Sequence, residues 1–331
     1  MIKLSSAAPV AAAVLGVFIA TAVIAYFNYH AVLRAMAPVG LGGSFLVILA
    51  QLTLMVPLGL AWFIVASGEP LSRLGVFIWG RLMREAASDV LPFSQLGGFV
   101  IATRAMLISG VPAAMAVGSG VVDLTVEIVA QLIYTLIGVG LLVMRFGARS
   151  SADHLVYSVL TGLVIVTILV AGFVFAQRRG LSPLERLARR IAPNAAEHSA
   201  EFNKIVDSAY AQPVRLWSAL AVHVGCWIAA AGGTWLILWL IGRPLPFTSV
   251  MAIESLLFAI KNAAFVVPTG IGVQEGAYAI LGPLFGLPPE AALALSLLKR
   301  GRDILIGVPI LLSWQFVEGR RTRRSGATSP G

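Results

Sequence analysis

Val267-Pro268-Thr269-Gly270-Ile271-Gly272-Val273-Gln274-Glu275 interrupts an apolar stretch, residues 251–303, that also carries Glu254, Lys261, Lys299, Arg300, Arg302 and Asp303. Pro268 lacks an amide N–H and Gly270 and Gly272 favour turns, so the run does not continue as a straight helix. A charge at the centre of a bilayer costs from about 3 to more than 10 kcal/mol and therefore needs a partner or water. Broken backbone at that depth persists only where protein or a water-filled cavity covers it. A break beside charges in an apolar chain predicts a polar site inside a membrane.

The rest of the chain fits that setting. It has 331 residues, 58% hydrophobic and 12% charged, with a mean hydropathy of +0.90. Soluble domains carry about 25% charged residues, so the deficit alone indicates an integral membrane protein. The expected fold is all-α, a polytopic bundle of about six to eight membrane segments, some of them broken or re-entrant. Glycine is abundant, at 33 residues, as suits membrane helices that approach closely. The single cysteine, Cys226, excludes an internal disulfide framework and a multi-thiolate metal site. Its place in an apolar run suits a small buried hydrophobe. The net charge of +9 sits between apolar segments and near the C-terminus, the pattern of cytoplasmic loops facing anionic lipid. No nucleic-acid-binding motif accompanies it, so nucleic acid is not an expected partner.

Apolar segments follow at Ala7–Tyr29, Ser44–Ala66, Leu91–Gly110, Val111–Met144, His154–Phe175 and Leu216–Ile241. The first is too long for a signal peptide core and reads as a retained helix. Ser72–Asp89 interleaves Arg73, Arg81, Arg84, Glu85 and Asp89 with Leu74, Phe77, Ile78, Trp79, Leu82 and Met83. It fits either an amphipathic helix at the interface or a solvated loop helix. Val111–Met144 is about 34 residues, roughly 50 Å as a helix, more than one ordinary crossing. It is either steeply tilted or contributes its first part to a re-entrant hairpin with 91–110.

These segments make one transmembrane domain over 1–318, with halves at about 1–176 and 214–318 and a polar, Arg-rich loop at 177–213. The positive-inside rule places that loop and the basic tail, 319–331, in the cytoplasm, the tail being expected to be disordered. With both on one side, 250–318 must supply an odd number of crossings, one or three.

The two halves echo each other. Leu91-Pro92, Gly97-Gly98 and Gly110-Val111-Pro112, then Ser119 and Asp123, parallel Val267-Pro268, Gly272 and Gly286-Leu287-Pro288, then Ser296 and Arg300, at an offset of about 176. Paired breaks of this kind (Pro92, Gly97 and Gly98; Pro268, Gly270 and Gly272) point to a transporter-like site between repeats. Gly, Ala and Pro are common in membrane helices, so the echo is also compatible with chance.

Several charged groups are candidates for that site. Asp123, Glu127 and Gln131 recur every four residues and share one helix face. Two acids so close need a basic partner or a shared proton, and Arg104, Arg300 and Arg302 are candidates; a structural ion-pair network is the plainer reading. Glu254 and Lys261, seven apart, each need a partner on another segment. Glu275 follows the Gly-Ile-Gly turn, where it either caps a new helix or binds substrate. Lys299-Arg300-Gly301-Arg302-Asp303 is either an interfacial anchor or a head-group contact, since Arg offers paired donors to phosphate. Asp303 pairs with Lys299 or Arg300 if the segment is helical. The four histidines show no metal-ligand spacing, and no catalytic motif or cofactor-binding loop occurs. Neither an enzyme nor a cofactor is expected.

Residues 267–276, then Gly286-Leu287, an alanine-rich stretch and Lys299-Arg300, resemble the lysylphosphatidylglycerol synthase transmembrane (flippase-like) family, with its Pro-x-Gly-x-Gly-x-x-Glu signature and downstream Arg. Leu91–Val100, Arg104 and Val122–Glu127 with Gln131 resemble its hopanoid-biosynthesis-associated branch. The resemblance covers about 10–318 and implies a multi-pass inner-membrane protein that moves or handles membrane lipid. The family's named enzymes carry a soluble aminoacyl-transferase domain after the membrane region; the sequence ends at Gly331, so lysyl transfer is not expected. From their charge or polarity and their placement, the expected substrate-binding set is Arg104, Asp123, Glu127, Gln131, Glu254, Lys261, Glu275, Arg300 and Asp303. A scaffold for lipid-biosynthesis enzymes is the alternative.

Overall fold

The computed structural model describes residues 29–91, 94–146, 199–264 and 270–326, with Thr161, Val164, Ile168, Gly172 and Phe175 at isolated helical positions. The segment expected at Ala7–Tyr29, most of 154–175 and the first part of the 177–213 loop lie outside the described residues, as do Pro92 and Pro268. Among the described residues the fold is all helical: α1 (Tyr29–Met36), α2 (Gly40–Val65), α3 (Leu74–Val90), α4 (Ser94–Ile108), α5 (Ala113–Phe146), α6 (Ser199–Tyr210), α7 (Pro213–Leu240), α8 (Phe247–Ala263), α9 (Val273–Leu284) and α10 (Pro289–Gly326). Val32–Val65, Ala113–Arg145 and Pro213–Leu240 are long and apolar enough to cross a membrane. The protein is a multi-pass helical membrane protein.

α3 and α4, of 17 and 15 residues, form one helical hairpin, and α8 and α9, of 17 and 12, form another. At about 1.5 Å per residue none is longer than about 25 Å, short of the roughly 30 Å hydrocarbon core. Each of these four helices is therefore too short for an ordinary crossing on its own. α5 stays helical over 34 residues, so the Val111–Met144 stretch is one long helix and not half of a re-entrant hairpin.

The order long, short, short, long appears twice, as α2–α5 and α7–α10. The turns correspond in detail. Gly110 (φ 86°) and Gly286 (φ 85°) both adopt the left-handed conformation that glycine reaches without strain. The amides of Val111 and Leu287 reach back to the carbonyls of Met106 and Gly282, at 3.1 and 3.0 Å. The amides of Gly110 and Gly286 bond Leu107 and Pro283. Both are Schellman caps, each followed by the proline that opens the next long helix. Packing repeats as well: α2 lies on α7, its counterpart, while α3 packs on α10 and α8 packs on α5. That reciprocity is what a pseudo-two-fold relation between halves requires.

Three expectations need correcting. α3 is not an interfacial or solvated helix: Phe77, Gly80, Arg81, Met83, Arg84, Ala86, Ala87 and Ser88 are buried. Gly97 and Gly98 do not break the chain but lie inside α4, where Gly98 lets the helix approach the Arg84 carbonyl and the Ser88 hydroxyl of α3. The stretch Arg320–Arg324 continues α10 as far as Gly326, arginine being a good helix former.

Candidate functional site

The first half buries an ionic cluster. Arg81 and Arg84, one helical turn apart on α3, are each only 2% exposed. They meet Asp123 and Glu127, which α5 presents on one face. Arg81 binds Glu127 through both terminal nitrogens, at 3.0 and 2.6 Å, and also reaches Glu85 at 2.6 Å and Asp123 at 3.7 Å. Arg84 bridges Glu127 and Asp123, the latter at 3.3 Å. His223 Nε2 of α7 lies 3.0 Å from the other Asp123 oxygen. Buried carboxylates persist because guanidinium forks satisfy them with several donors.

The second half buries a smaller cluster. Lys299 of α10 donates to Glu254 of α8 at 2.6 Å, to the Tyr278 hydroxyl at 2.8 Å and to Thr234 at 3.2 Å. Tyr278 in turn donates to Glu254. Beside it, Glu275 accepts the Gly272 amide at 2.8 Å, closing the N-terminus of α9. Its oxygens also receive Arg300, at 3.0 and 3.3 Å, and the Ser296 hydroxyl at 3.2 Å. Gly270 (φ 61°) and Gly272 (φ 81°) form the turn that aims free amides at Glu275. Glu275 is a helix cap paired to an arginine.

Between the clusters lies a cavity of about 160 Å³ lined from both halves. Its polar wall comprises Arg81, Glu85, Asp89, Glu127 and His223, then Glu254, Lys261, Gln274, Lys299, Arg302 and Asp303. Leu54, Met55 and Leu58 of α2, with Trp227 and Phe258, supply an apolar side. Arg302 and Asp303 bind each other at 2.6 Å on this wall. Among the described residues no group of three or more His, Cys, Asp or Glu is placed to hold a metal ion.

Of the residues singled out from sequence, Glu127, Glu254, Lys261 and Asp303 line the cavity, and Asp123 stands directly behind it. Arg104 does not join them: its side chain is 55% exposed and pairs with Glu318 at 2.7 Å. Arg300 is held by Glu275 and does not reach the acids of α5. Gln131 lies a further turn along α5, and its side chain lines no part of the cavity. Asp303 pairs with its neighbour Arg302, not with Lys299 or Arg300. The basic partners of Asp123 and Glu127 were hidden in α3. A signal was present: Arg81 and Arg84, three apart, share one helix face in a stretch rich in large apolar residues.

The fold and site define a multi-pass membrane protein whose two pseudo-repeated halves enclose a charged cavity. The family model for the lysylphosphatidylglycerol synthase TM region matches residues 10–310, so the chain belongs to that family. No curated protein and no solved structure gives a significant match. Membership ties the protein to lipid handling.

Proposed function

We propose that the protein takes a lipid head group into the cavity between its halves and moves it within or across the membrane. The observation that carries this reading is the cavity wall itself, nine ionisable Asp, Glu, Lys and Arg side chains among apolar helices. Residues this costly to bury in a membrane mark paths for polar cargo. The cavity is large enough for a head group only, so acyl or polycyclic tails stay in the surrounding lipid. Head-group chemistry is thus the business of the cavity, while the hopanoid assignment rests on the resemblance of the first half to that branch.

In this reading the protein makes and breaks no covalent bond. It sits in the bacterial inner membrane with its basic C-terminal segment in the cytoplasm, as the positive-inside rule favours. The test is reconstitution of the purified protein into liposomes with a labelled lipid, following label accessibility to a membrane-impermeant reagent. Movement faster than in protein-free liposomes, lost in Lys261→Gln, supports the proposal. Equal rates with and without protein, from correctly folded protein, would leave the scaffold role instead.

A further inference from the structure

Most charges on the cavity wall are already committed. Arg81 joins Glu85 and Glu127, Lys299 joins Glu254, and Arg302 joins Asp303. Two side chains are left over, and they have opposite sign. Asp89, half-buried in the last turn of α3, makes no hydrogen bond or ion pair with a described residue. Lys261, in the last turn of α8, meets among the described residues the Gln274 amide oxygen at 3.4 Å and the Phe258 ring at 5.7 Å.

Their positions sharpen the contrast. Asp89 stands at the C-terminal end of its helix, where the dipole opposes an anion, and one turn beyond Glu85. Asp303 and Glu85 face the same cavity and disfavour the Asp89 carboxylate, while Lys261 and Arg302 act across the cavity in its favour without bonding it. Lys261 occupies the favourable end of its own helix and, of its three donors, commits one to a described residue. With Arg81 and Arg84 on Glu85 and Glu127, Lys299 on Glu254 and Arg302 on Asp303, the wall charges left over are one carboxylate and one ammonium. Asp89 and Lys261 lie 172 residues apart, at nearly corresponding points of the two hairpins, so each half contributes one of them.

We infer that the cavity selects zwitterionic head groups, pairing an ammonium with Asp89 and a phosphate or carboxylate with Lys261. This rests on the lipid-handling reading and adds the charge pattern of the cargo. A cavity of about 160 Å³ is far above what one water needs and has room for an amine and an acid group joined by a short linker.

The test uses the full chain, purified in detergent and titrated with four ligands while its thermal unfolding is followed. These are a short-chain phosphatidylethanolamine, its N-acetylated form with the anion alone, a long-chain primary amine with the cation alone, and free phosphoethanolamine without a tail. The expected result is that the zwitterionic lipid binds about tenfold or more tighter than either singly charged lipid, because each mismatched ligand leaves a charge unpaired. Asp89→Asn should erase the preference over the N-acetylated lipid, and Asp89→Glu should restore it. Lys261→Gln should erase the preference over the amine. Equal binding of the zwitterionic and N-acetylated lipids by the wild type overturns the inference, as does unchanged selectivity in both neutral variants. Binding of free phosphoethanolamine as tight as that of the lipid overturns a lipid source. If no lipid shifts the unfolding of folded protein, the lipid-handling reading falls as well, an outcome distinct from lost selectivity.

Discussion

Arg81 and Glu254 stand at corresponding points of the two hairpins, 173 residues apart, and carry opposite charge. Their partners are exchanged in the same sense. Arg81 faces Asp123 and Glu127 on α5, and Glu254 faces Lys299, which lies 176 residues beyond Asp123 on α10. The two halves keep the position of an ion pair between hairpin and long helix while reversing its polarity.

Breaking one such pair should be costly. Lys299→Met leaves Glu254 buried with only the Tyr278 hydroxyl, and an uncompensated buried charge of this kind costs about 3–5 kcal/mol. The double variant Glu254→Gln, Lys299→Met removes both charges and should recover most of that loss. Thermal unfolding of the single and double variants gives the coupling; additive losses would show that the pair does not act as a unit.

α2 meets α3 through a glycine. A methyl at Gly59 would lie 2.5 Å from the Ile78 Cα, a backbone atom that cannot swing aside, whereas one at Gly42 meets nothing within 4 Å. Gly59→Ala should therefore destabilise by about 1–3 kcal/mol through overpacking. Gly42→Ala on the same helix should be neutral or slightly stabilising. Unfolding temperatures measured side by side check the contrast.

Glu275 should matter for folding more than for cargo. Glu275→Ala removes the acceptor of the Gly272 amide and the partner of Arg300. A lost cap costs about 0.5–2 kcal/mol before the arginine is counted. Head-group affinity of the protein that still folds should stay near wild type, because Glu275 does not line the cavity. A titration with stability measured alongside separates the two effects.

Arg104→Gln should leave both stability and lipid movement nearly unchanged. Its pair with Glu318 is largely exposed, and pairs of that kind are worth about 1 kcal/mol or less. A large loss of transport would return Arg104 to the site.

The membrane setting, the helical class and the break at Gly270 and Gly272 were legible in the residues, because each follows from local chemistry. So was the need of Asp123 and Glu127 for basic partners. The identity of those partners was not. Arg81 and Arg84 lie among Phe77, Ile78 and Met83 with an amphipathic spacing that an interfacial helix would share. Only the docking of α3 between α2, α4 and α10 decides that its charged face is buried. Glu275 shows the same limit: capping was readable from the Gly-Ile-Gly turn, but the choice of Arg300 as its partner needed the packing of the next helix.

The reversed ion pairs also bear on how the chain is made. Each charge on a hairpin meets its counter-charge on a helix of the same half, roughly 40 residues further on. At about 5–20 residues per second that is a delay of seconds during synthesis. The arginines of α3 need not await the second half to be neutralised, nor does Glu254 depend on the first. Insertion can therefore proceed one half at a time. The cross-packing of α3 on α10 and of α8 on α5 then brings together hairpins whose charges are already matched within their own halves.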